Sequence, residues 1–221
     1  MATRAVLAEL AAAFERHFGI GLQVESVGGV DAARRVAAGE VFDLVFLAAD
    51  AIDKLIAGGH LVAGSRTDLM RSPVAVAVKA GSPRPDLSSE ESLRRAVQAA
   101  PTIGYSTGPS GTHLVQLFER WGLAESLKPR TVQAPPGVPV ARLVVEGQVA
   151  LGFQQLSELM NVAGVEVAGL LPGAAQFITT FSAGLGNRRP PASQAAARAA
   201  LAFMATNEAT DIKRRHGMEP A

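Results

Sequence analysis

The sequence predicts an α/β protein built on parallel sheets, and three observations carry that prediction. Residues 43–48 and 73–78 are short, almost unbroken apolar runs, the kind of strand that is buried on both faces. Between such runs lie stretches with apolar residues three and four apart, which read as helices. The two kinds alternate along the chain, as they do when parallel strands are joined by helical crossovers. With 48% of 221 residues apolar, the chain can bury a sizeable core as one large domain or as two lobes.

Taken in order, residues 3–18 form a helix with Val6, Leu7, Leu10, Phe14 and Phe18 on one stripe and Gly19 as its stop. Residues 22–27 alternate as a strand that runs into Gly28-Gly29, and residues 32–38 form a short helix closed by Gly39. The buried strand at 43–48 leads into a helix ended by Gly58-Gly59. After the strand at 73–78, residues 79–88 are turn-rich and read as a crossing between lobes. A helix follows to Ala99, capped by Ser88 or Ser89. Further strands are expected at 102–105, 131–133, 149–153, 165–170 and 177–185. Helices are expected from Leu114 to before Gly122, and at 140–146, 154–160, 195–204 and 209–215.

Composition excludes several classes. A formal net charge of +1 gives no broad electrostatic case for nucleic acid or an anionic membrane, and one Trp and one Tyr leave little to stack on bases. The absence of Cys removes disulfides, thiolate metal sites and a thiol nucleophile. The four His lie far apart with no metal-ligand spacing, and neither a metal nor a cofactor is expected. No apolar run is long enough to span a bilayer, so no direct membrane insertion is expected. Residues 1–18 carry Glu9 and Glu15 inside an amphipathic pattern, unlike a secretory leader. The chain also opens on a helix where this pattern wants a strand first. A first strand or a leader is therefore expected upstream, and a chain complete as given would be cytoplasmic.

The stretch richest in chemistry is the 104–113 segment, Gly-Tyr-Ser-Thr-Gly-Pro-Ser-Gly-Thr-His. A strand, a hydroxyl-rich glycine loop and a helix start combine there. The first amides of a helix lack intrahelical partners and its dipole favours negative charge, so the loop reads as a cradle for a small anion. Ser106, Thr107, Ser110, Gly111 and Thr112 are its candidate donors; the plainer alternative makes Ser110 an N-cap and Gly108-Pro109 a turn. His113 could move a proton beside that loop. Gln154 and Gln155 follow a buried strand and offer neutral amides to a ligand, with Glu158 shortly after. Gly28 and Gly29 allow close backbone approach. Arg4, Arg34, Arg35 and Arg71 are candidate partners for a carboxylate, with Arg71 placed just before a core strand.

The order of these elements resembles the type II periplasmic-binding-protein superfamily, in its molybdate-binding-protein-like branch of ABC-transporter solute receptors. The resemblance runs over nearly the whole chain: LAAAFERHFG at 10–19, ARRVAAG at 33–39 with DLVFLA at 43–48, the 52–61 segment, SPVAVAV at 72–78, YSTGPSG at 105–111, GQVALGFQQLSE at 147–158 and GMEP at 217–220. It implies a two-lobed fold, each lobe a mostly parallel sheet flanked by helices, with ligand in the interlobe cleft. Lobe one would hold residues 1–78 and 180–221, and lobe two residues 79–179. Facing the cleft would be the start of the first helix (Ala2, Thr3, Arg4), the Gly28-Gly29 turn, the 106–112 loop and Gln154-Gln155, with Phe181 as a wall. The implied partner besides the anion is an ABC-transporter permease, and the implied compartment is the periplasm.

The sequence departs from the branch at Ala2, at residues 28–30 and at Phe181, near positions where the resemblance implies two Ser and a Tyr. Each lost hydrogen bond to a buried oxyanion costs about 1–3 kcal/mol. The expectation is therefore a solute-binding protein for a small organic carboxylate rather than a molybdate-type oxoanion. The alternative is an isomerase of an unsaturated di- or tricarboxylic acid such as aconitate on the same scaffold. His113 or Glu158 would then be its base, with Ser110, Thr112 and an Arg as the anion grip.

Overall fold

The computed structural model describes residues 1–188 and 190–221. In chain order these form α1 (Arg4–Phe18), α2 (Gly29–Ala37), β1 (Leu44–Ala48), α3 (Ala49–Ala57), β2 (Thr67–Lys79), α4 (Glu90–Ala99) and β3 (Ile103–Tyr105). Then come α5 (Pro109–Arg120), α6 (Ala124–Leu127), β4 (Thr131–Gln133), α7 (Val140–Val145), β5 (Leu151–Gln155) and α8 (Leu156–Leu159). The chain closes with β6 (Val165–Leu170), β7 (Ile178–Leu185), α9 (Pro191–Phe203), α10 (Asn207–Arg215) and β8 (Glu219–Pro220). By its contacts the chain divides into two compact units, residues 1–72 with 180–221 and residues 73–179. Both passages between units fall inside strands, β2 and β7, so the first lies upstream of the turn-rich 79–88 segment expected to mark it.

In the first unit, α1 buries Val6, Leu10 and Phe14 completely, while Phe18 at the end of the same stripe is half exposed. Phe18 still stacks on Phe14 at 4.7 Å, and Phe203 from α9 closes the aromatic cluster. Gly19 ends α1 in the left-handed region at φ 65°, where a residue with a Cβ would be strained. Strand β1 pairs antiparallel with β7, Leu44 opposite Leu185 through Ala48 opposite Phe181. Lys213, in the last turn of α10, is buried and donates from Nζ to the Met204 carbonyl at 2.6 Å. It thereby caps the end of α9, and burial pulls its pKa down.

The strand expected over residues 22–27 does not form. Its alternation finds no ladder among the described residues. Leu22 packs on the core, while Ile20 and Val24 stay exposed. Hydrophobic alternation needs a neighbouring strand before it becomes a strand.

The second unit is built on the sheet β6-β2-β5-β3-β4. The expectation of mostly parallel sheets holds for β4-β3-β5, and β2 runs antiparallel to both β5 and β6. Two glycines fix how closely α7 lies on this sheet. Gly104 and Gly152 are opposite one another in β3 and β5. A Cβ on Gly152 would stand 2.6 Å from Val144 Cγ2, and one on Gly104 would stand 3.2 Å from Val140 Cγ1. Gly152→Ala is expected to cost about 1–3 kcal/mol through overpacking, read as a lower urea midpoint with unchanged slope.

Candidate functional site

Strands β3, β4 and β5 run parallel, so their carboxyl ends share one edge of the second unit, where open α/β sheets gather ligands. Tyr105 lies opposite Phe153, so the 106–112 loop after β3 and Gln154-Gln155 at the end of β5 meet at that edge. The short α8 that carries Glu158 starts immediately beyond.

The loop is pinned to its helix by one close approach. A Cβ on Gly111 would stand 1.7 Å from the Ser106 carbonyl oxygen, so only glycine fits in the first turn of α5. Ser89 and Thr206 cap α4 and α10 with their side chains, but nothing caps α5 that way. The expected capping serine, Ser110, is 1% exposed and its hydroxyl lies 3.1 Å from that of Ser106 instead. Ser106 Oγ also accepts from the Gly108 amide at 3.2 Å. The Gly108 carbonyl in turn takes the amides of Gly111 and Thr112. What remains are the amides of Thr107 and Ser110, which have no partner among the described residues. Two free backbone donors at the positive end of a twelve-residue helix, with a hydroxyl pair beside them, can hold one carboxylate or oxoanion. Thr107 and Thr112 are exposed, and Thr112 Oγ1 lies 3.5 Å from the Gly108 carbonyl.

His113 is spent on structure. Its ring stacks on Phe177 at 4.6 Å and Nε2 donates to the Ala175 carbonyl at 3.0 Å. A carbonyl only accepts, so Nε2 must carry the proton, and a nitrogen so engaged is not a free base. Gln154, expected among the helix residues facing a ligand, lies inside β5. Its Oε1 accepts from the Val140 amide at 2.8 Å, capping α7. Gln155 donates from Nε2 to Thr179 Oγ1 at 2.6 Å and keeps Oε1 buried without a partner. Glu158 is half buried, and burial pushes its carboxyl above the ordinary value of 4.5.

The other candidates lie in the first unit. Thr3 precedes α1 without a side-chain cap, and Arg4 is exposed. Gly28 and Gly29 open α2, also uncapped, and a Cβ on Gly29 would make ordinary contact at 3.8 Å, so that turn does not demand glycine there. Arg71 is exposed in β2, opposite Glu219 of β8. Phe181 packs against the first unit's core. Arg34 and Arg35, weighed as carboxylate partners, are taken by carboxylates of the chain itself, Arg34 by Asp31 at 2.9 Å and Arg35 by Glu25 at 2.6 Å and by Glu40. Thr179 had no signature in the sequence, because a threonine in an alternating strand looks the same whether or not it holds a glutamine.

Residues 1–219 match the family described as bacterial extracellular solute-binding protein. The chain belongs to that family. It is also 35% identical over 218 residues to an aconitate isomerase from a Pseudomonas species, a match covering 96% of this chain and 82% of that protein. Among solved structures, the periplasmic molybdate-binding protein of Azotobacter vinelandii superposes with a TM-score of 0.80 at 20% identity, covering 98% of this chain and 94% of that one. The sulfate-binding protein SubI of Mycobacterium tuberculosis follows with a TM-score of 0.77 at 15% identity, over 98% and 83%. The expected periplasmic-binding-protein fold is therefore shared with these receptors. No helix among the described residues is long and apolar enough to cross a membrane.

The two loop glycines should separate sharply on substitution. Gly111→Ala drives a methyl into backbone and is expected to lower stability by about 1–3 kcal/mol or more. Gly108→Ala, whose Cβ would sit 3.6 Å from Ser106 Oγ, should leave thermal unfolding nearly unchanged.

Proposed function

We propose that this solute-binding family member takes a small organic polycarboxylate, an unsaturated tricarboxylate of the aconitate type being the class it fits best. The observation that carries the reading is the uncapped start of α5, where the Thr107 and Ser110 amides and the Ser106–Ser110 hydroxyl pair are left for an anion. Charge-assisted bonds from such donors are worth about 1.5–3 kcal/mol each. The aconitate isomerase relative points to a tricarboxylate, whereas the likeness to molybdate and sulfate receptors lies below 25% identity and speaks for the fold alone.

A second reading, that the chain also isomerises its ligand, is favoured by the same relative and by Glu158. Interconverting trans- and cis-aconitate requires removal of a proton from the methylene carbon beside a carboxylate. The C–H electrons move into the allylic system, and a proton returns at the far end of the former double bond. Glu158 is suited to carry that proton, since burial raises its carboxyl above the ordinary value of 4.5. The α5 start would hold the carboxylate on which negative charge builds.

Thermal-shift and calorimetric titration with trans-aconitate, cis-aconitate, citrate and molybdate should give the largest response with the tricarboxylates; a response to molybdate alone would refute the carboxylate reading. Ser110→Ala should weaken trans-aconitate by about tenfold or more, with little change in melting temperature. Proton NMR of trans-aconitate in D2O tests the isomerase reading. The expected rate rises with pH through an ionisation above 4.5, because Glu158 must be deprotonated to act, and Glu158→Gln abolishes it. His113→Gln should retain much of the rate. An unchanged rate in Glu158→Gln removes the assignment.

A further inference from the structure

Gln155 and Thr179 form an enclosed pair whose hydrogen bonding is incomplete. Their exposures are 2% and 4%, and Gln155 Nε2 lies 2.6 Å from Thr179 Oγ1. The other end of the same amide, Oε1, is buried with no partner among the described residues. Enclosed carbonyls without a donor are costly and rare, so such an atom marks a place that something else fills. Gln155 is the last residue of β5, on the carboxyl edge that β5 shares with β3 and the 106–112 loop.

We propose that the unfilled end of the Gln155 amide contacts the bound acid and that Thr179 determines which end is offered. This rests on the polycarboxylate reading and adds to it a specificity-determining pair. A hydroxyl both donates and accepts, whereas each end of a primary amide does only one. In the arrangement seen, Thr179 accepts from Nε2 and the carbonyl is free, which suits a ligand hydroxyl or a protonated carboxyl. A half-turn of the amide about its last bond lets Thr179 donate to Oε1 across the same distance and frees the NH2, which suits an ionised carboxylate. Thr179 can therefore hold Gln155 in either orientation, and the ligand's own donor or acceptor selects between them. Thr179 is a positioning residue acting through Gln155. Valine in its place keeps the shape and loses the hold.

The test is calorimetric titration of the full chain with trans-aconitate, which carries no hydroxyl, and citrate, which carries one. Thr179→Val is expected to weaken both by about tenfold, Thr179→Ser to restore binding, and Gln155→Leu to weaken it at least as much. Because Thr179 acts only through Gln155, the double variant Gln155→Leu/Thr179→Val should lose no more than Gln155→Leu alone. In the wild-type protein, the Gln155 side-chain NH2 resonances should shift on adding trans-aconitate and respond differently to citrate, a readout that does not depend on any variant folding. Wild-type affinity in Thr179→Val, additive losses in the double variant, or unmoved Gln155 NH2 signals in a saturated protein would overturn the proposal. A wild-type protein that binds neither acid would overturn the polycarboxylate reading, and this inference with it.

Discussion

A backbone carbonyl occupies the place where any residue but glycine at 111 would put its side chain. The rest of the site depends on that contact. With Ser106 oxygen 1.7 Å from the missing Cβ, the loop folds tightly over the first turn of α5. The Gly108 carbonyl is drawn onto the Gly111 and Thr112 amides, and the two serine hydroxyls are turned toward each other. A helix start usually meets its own needs with a cap, as α4 and α10 do here. At α5 the satisfied groups are tied up internally, and the Thr107 and Ser110 amides are left over. First donors left without a partner at a helix start can be lent to something negative.

The same economy separates groups that hold the fold from groups free to act. His113 and Gln154 both looked chemically available, and both are committed, one to a carbonyl and a phenyl ring, the other to the start of α7. Arg34 and Arg35 are likewise matched by carboxylates of the chain itself. At the carboxyl edge of the second unit the Thr107 and Ser110 amides, Gln155 Oε1 and Ser157 Oγ have no partner among the described residues, and burial raises the Glu158 carboxyl above its ordinary value. Oxyanion donors and a carboxyl of raised pKa are the groups that the proposed proton transfer would use.

Much of this was legible in the residues. The apolar run at 73–78 and the glycine stop after Phe18 announce themselves, because burial on both faces and left-handed caps leave compositional marks. The 104–113 segment did too, since a strand, a glycine loop and a helix start are each local. Residues 22–27 misled because alternation describes a surface and not its partner. Gln154 and Gln155 read from the sequence as the start of a helix, although β5 runs through them, and the task of each is set by a residue distant in sequence, Val140 or Thr179. Long-range hydrogen bonds to backbone amides have no sequence signature.

The account turns on whether the leftover amides are the anion seat, and backbone NMR of a 15N-labelled sample titrated with trans-aconitate addresses this most directly. The amide protons of Thr107 and Ser110 should move strongly downfield as they gain charge-assisted bonds, while those of Gly111 and Thr112, already bonded to Gly108, shift little. Saturation of the protein with Thr107 and Ser110 unmoved would contradict it.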